Sequence, residues 1–84
     1  MKYKLLGEMI TGAINASTIP QTDGTGSTLV HIVVTSPQDV IHTRGGLVVG
    51  RIHMTANSSI DLVKDSTDTL DIGDAFVTPI AYQA

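Results

Sequence analysis

Eighty-four residues make one domain, and a monomer of this size buries only about 60% of the surface its extended chain exposes. With no cysteine in the chain, neither disulfides nor thiolate metal sites can reinforce so small a core. Charged residues are 15% of the chain and the net charge is −3, which disfavours nucleic acid, whose binding rests on lysine and arginine neutralising phosphates. Low charge also leaves surface better suited to protein than to water, so self-assembly is expected.

Residues 2–14 open the chain. Leu6, Met9, Ile10, Ala13 and Ile14 fit one helical face, but Gly7 and Gly12 each cost a helix about 1 kcal/mol, so an extended arm or strand is expected. Lys2 and Lys4 precede an apolar stretch that Gly7, Glu8 and Gly12 interrupt, unlike a signal peptide. No run approaches the ~20 apolar residues of a membrane helix. Synthesis in the cytoplasm without processing, and no membrane partner, are therefore expected. Residues 15–27 concentrate Asn, Ser, Thr, Pro, Asp and Gly and read as a flexible linker. The chain thus divides into an arm with its linker at 1–27 and a β domain at 28–84.

Residues 28–35 are rich in β-branched side chains, with Val30, Ile32 and Val34 on one face and Leu29 and Val33 on the other, as in a strand covered on both sides. Ser36, Pro37, Gln38 and Asp39 suit a type I turn, so residues 40–43 are expected to return as the hairpin partner. Gly45 and Gly46 supply a second tight turn into residues 47–55, where Val48, Ile52 and Met54 are expected to share a face and Gly50 marks a bulge or a close crossing. Residues 60–64 and 69–72 are shorter runs. In the last strand, 75–83, Phe76, Ile80 and Tyr82 share a face, and Pro79 lacks the N–H of a central strand, which places it at an edge or bulge. The expected fold is all-β: a small antiparallel sandwich or barrel with an extended N-terminal arm.

Side chains that carry chemistry are few. His31, His42 and His53 recur every eleven residues, yet no cysteine or short-spaced ligand pair accompanies them, so surface or hydrogen-bonded histidines are favoured over a zinc site. Asp61, Asp65, Asp68, Asp71 and Asp74 form an acidic run whose spacing of three or four differs from a calcium loop; a solvated acidic loop and strand edge is expected. The glycines at 24 and 26 lack the Gly-Lys-Ser/Thr of a phosphate loop. Asn15 and Asn57 begin glycosylation tripeptides, which mean little without export. No nucleophile lies in an activating context, so neither an enzyme nor a cofactor or metal is expected.

The run Gly46-Leu47-Val48-Val49-Gly50-Arg51-Ile52 is similar to an apolar strand, and Ala75-Phe76-Val77-Thr78-Pro79-Ile80 to a C-terminal strand, of lambda-type bacteriophage capsid decoration, or cement, proteins. The likeness covers about a dozen residues, and the tryptophan-containing segment of that family has no counterpart. The resemblance implies a structural virion protein, located in the virion, that binds between capsid subunits and forms a homo-oligomer, with a trimer favoured. Its partners would be itself and the major capsid protein or another virion protein. On this reading the arm docks on the shell by strand addition, with Leu5, Leu6, Met9 and Ile10 as the partner-binding side chains. The alternatives are a tail or fibre tip module binding a host receptor, and a small metal-dependent or hydrolytic enzyme.

Overall fold

The computed structural model describes residues 2–11 and 26–83, so the linker expected at 15–27 lies almost entirely outside the described residues, as does Asn15. Eight strands and no helix occur among the described residues: β1 (Lys2–Leu5), β2 (Ile10–Thr11), β3 (Leu29–Val34), β4 (Gln38–Arg44), β5 (Leu47–Met54), β6 (Ser58–Val63), β7 (Thr69–Asp71) and β8 (Phe76–Gln83). All pairings are antiparallel. One sheet runs β1-β8-β3-β6, with β2 also on β8; the other runs β5-β4-β7. The expected all-β class is observed, in the form of a small β-sandwich.

Alternation along β3 builds the core. Val30, Ile32 and Val34 are fully buried, and Val40, Met54, Leu70, Ile72, Ala75 and Val77 pack with them. Each buried aliphatic side chain contributes ~1.5–3 kcal/mol before ordering costs. Ile10, Ile60 and Leu62 are partly buried against the same cluster.

The expected hairpin between residues 28–35 and 40–43 does not form. β3 pairs with β6 on one side and β8 on the other, while β4 pairs with β5 and β7, so residues 35–37 carry the chain from one sheet to the other. A strand with apolar side chains on both faces is stabilised by a central place, and two long-range partners provide it. The turn at Gly45 and Gly46 does form a hairpin, with φ of 59° and 81° and Arg44 paired with Leu47. Both residues having positive φ is what the tight hairpin turn requires.

Two further expectations need correction. Thr43 pairs with Val48 but His42 pairs with Gly50, so Val49 is an extra residue, a β-bulge. The inserted residue reverses the alternation: Ile52 and Met54 share the inward face, and Val48 points outward with Thr43. Pro79, expected at an edge or bulge, lies in β8, which has partners on both sides. Its carbonyl accepts from the Leu6 amide at 2.9 Å, between the ends of β1 and β2. The N–H and C=O of one residue point the same way in an antiparallel strand, so the missing donor faces this break and costs β3 no ladder bond.

Candidate functional site

The N-terminal side chains expected to bind a partner sit on the large sheet. β1 pairs with the end of β8 and β2 with its beginning, so residues 2–11 form a sheet border. Leu5 and Met9 are 69% and 55% exposed; Leu6 is half-buried, and half-buried Ile10 packs on the core. Only Leu5 and Met9 therefore offer mainly free apolar surface.

The other apolar surface was not singled out as a site from the sequence. Among the described residues β5 has β4 on one side and no strand on the other, and Leu47 (73%), Val48, Val49 and Ile52 (45%) are all exposed. Beside it lies a groove of about 290 Å³ between β5 and β6, floored by Val40, Ile52, Ile60 and Leu62, with His42, Arg51 and Asp61 also on its walls. The chain turns from β5 into β6 through Thr55, Ala56 and Asn57 without pairing the two strands, so among the described residues no strand closes the sandwich here. Edge strands this long and apolar are usually blunted by charge or proline; β5 has one arginine and the bulge. The missed signal was residues 47–49, three consecutive large aliphatics directly after a turn, where burial on both faces would have required a second neighbouring strand.

Each histidine meets a different aspartate. His31 Nδ1 donates to Asp61 Oδ1 at 2.7 Å and His53 Nδ1 to Asp39 Oδ1 at 2.7 Å, each pair directly opposed in a ladder. His42 Nε2 donates to Asp68 Oδ2 at 2.6 Å. The three rings lie on three strands and do not converge, and among the described residues no group of three or more His, Asp or Glu side chains could hold a metal ion. No serine or threonine hydroxyl is among their described hydrogen-bond partners.

The acidic run is not a uniformly solvated loop. Asp68 is buried and accepts from Arg44 Nε (3.1 Å) and Nη2 (3.0 Å), from His42, and from the Asp65 amide at 3.0 Å. The Arg44 guanidinium, with His42 and the amide assisting, holds its carboxyl well below the usual carboxylate range despite burial. Lys64, also buried, donates to the carbonyls of Ser27 (2.9 Å), Asp65 (3.1 Å) and Asp68 (3.3 Å), matching its three N–H groups. Burial lowers its pKa. The node ties the 64–68 turn to β4 and to the residues leading into β3, and each charge in it has hydrogen-bond or ion-pair partners within the chain.

On the outer face of the large sheet, four strands contribute one residue each to a second cluster. Tyr3 stacks on His31 with ring centroids 5.6 Å apart, and Tyr3 and Tyr82 are directly opposed. The Tyr82 hydroxyl donates to Asp61, which also accepts from His31. These bonds, that of Tyr82 first, lower the Asp61 pKa, and the same bond raises that of Tyr82. Both tyrosines remain roughly half exposed. No protein-family model, curated protein or solved structure matches the chain.

Proposed function

We propose that the chain is a structural virion protein, a capsid decoration or cement protein that binds between capsid subunits and associates with copies of itself. The observation that carries this reading is apolar surface left exposed at the borders of both sheets, Leu5 and Met9 on one and Leu47, Val48, Val49 and Ile52 on the other. A protein that links neighbours needs two separate contacts, and sheet borders provide main-chain donors and acceptors for strand addition. Such borders are a hazard in a free monomer and a benefit in an assembly that covers them.

The shell contact is assigned to the β1–β2 border. Leu5→Lys and Met9→Lys change exposed side chains and should leave the fold intact while abolishing co-sedimentation with particles of the virus that encodes the chain. Undiminished binding by both variants would refute the assignment. A second reading, a fibre tip module that binds a host receptor, is favoured by the exposed Tyr3, Tyr82, His31 and Asp61 face; binding to host cells that Tyr82→Ala abolishes would select it. Hydrolysis gains no support from the His–Asp pairs, none of which bonds a serine or threonine hydroxyl among the described residues.

A further inference from the structure

We infer that the free edge of β5 pairs antiparallel with β5 of a second copy, about a two-fold axis at Ile52. This deepens the proposed function by giving the self-contact a place, and it is distinct from the trimer that the resemblance implies. Three observations support it. First, β5 has no strand on its outer side among the described residues, yet Ile52 and its apolar neighbours remain exposed there.

Second, Gly50 lies at the bulge, but neither its φ nor its space among the described residues requires glycine. It is not among the positive-φ residues, and a Cβ built on it would meet nothing within 4 Å, although glycine weakens a strand interior. A missing side chain at an unpaired edge also lets another backbone approach closely.

Third, charge and geometry select one register. The bulge at Val49 divides β5, leaving residues 50–54 as its regular half. With the axis at Ile52, Ile52 faces its equivalent, Gly50 faces Met54, and Arg51 faces His53 of the second copy. His53 is already bonded to Asp39 at 2.7 Å, so each Arg51 lies beside an Asp39–His53 pair on the opposite copy, twice by symmetry. Moving the axis to Arg51 would oppose the two arginines, moving it to Gly50 would run the ladder through the bulge, and moving it to His53 would oppose the two histidines and carry Arg51 past Met54, the last residue of β5. None of the eight acidic residues lies on β5, so a chain of net charge −3 meets its copy along a strand without acidic side chains.

The area sets the strength. Five residues span about 17 Å, and with side chains filling a layer ~10 Å deep each copy covers roughly 200 Å², against the ~800 Å² per partner of a stable complex. The dimer is therefore weak in solution and is reinforced where copies are held close together.

Sedimentation equilibrium of the purified chain from about 10 μM to about 1 mM tests this, the upper limit matching the weak end of measurable association. The expected result is a reversible monomer–dimer equilibrium that Ile52→Lys and Arg51→Glu each weaken at least ~10-fold, a loss of about 1.4 kcal/mol or more. Val63→Lys, on the free edge of β6 and 74% exposed in the native residue, should leave it unchanged. Adding Asp39→Lys to Arg51→Glu should restore association. Should Ile52→Lys fail to fold, the charge reversal and its rescue still decide. A monomer at every concentration, association indifferent to both β5 variants, or association lost only with Val63→Lys would each overturn the inference. A monomer that still binds particles would remove the β5 contact and leave the proposed function standing, whereas a dimer that binds no particle would do the reverse.

Discussion

Truncating Ile32 to alanine tests the architecture at its centre. Ile32 is fully buried on β3, opposite Ile60 of β6 and Val77 of β8. The substitution removes three carbons, ~2.4 kcal/mol of transfer free energy at ~0.8 kcal/mol per methylene. A cavity under both flanking strands brings the expected loss to about 3–4 kcal/mol, within the ~2–5 found for such changes. A domain of this length has roughly 4–12 kcal/mol of stability in all, so Ile32→Ala should lower the thermal midpoint by about 12–32 °C. Val33→Ala, one residue along and half-buried on the outer face, should cost about 1 kcal/mol or less. Urea and thermal unfolding followed by circular dichroism measure both. Equal losses, or a larger loss at Val33, would refute the assignment of faces, because a one-residue slip exchanges them.

Acid should find the Asp68 node. Its carboxyl is ionised far below the ordinary range, so the stability it provides is complete above the unfolded value of about 4 and is lost as pH falls through the folded one. Asp68→Asn should lower the urea midpoint at neutral pH, and its gap from the wild type should narrow steadily in acid; a gap independent of pH would contradict this. On the outer face, the bond to Asp61 raises the Tyr82 pKa, so Asp61→Asn should shift one phenol's absorbance titration to lower pH. An unchanged titration curve would show that Tyr82 and Asp61 do not interact in solution.

Local patterns carried much of the fold. The β-branched run around Val30, Ile32 and Val34 gave the core strand and its inward face, and Gly45-Gly46 gave the hairpin, because both depend on neighbours in sequence. What depended on distant partners was less legible. Pro37 marks a turn whether the chain returns to the same sheet or crosses to the other, and only the pairing of β3 with β6 and β8 decides. The bulge at Val49 moved Val48 to the other face, a change that no periodicity reveals before the partner is known. Asp68 resembled its solvated neighbours because its burial is set by Arg44, 24 positions earlier. Leu5, Leu6, Met9 and Ile10 were read as one patch; pairing with β8 separates exposed Leu5 and Met9 from partly buried Leu6 and Ile10.

The central claim is that this chain is part of a virus particle, and its copy number on purified particles tests that most directly. On the proposed function, quantitative mass spectrometry of gradient-purified virions should find the chain in fixed proportion to the major capsid protein through repeated banding. Its confinement to the unassembled fraction, with none on the particles, would contradict the account.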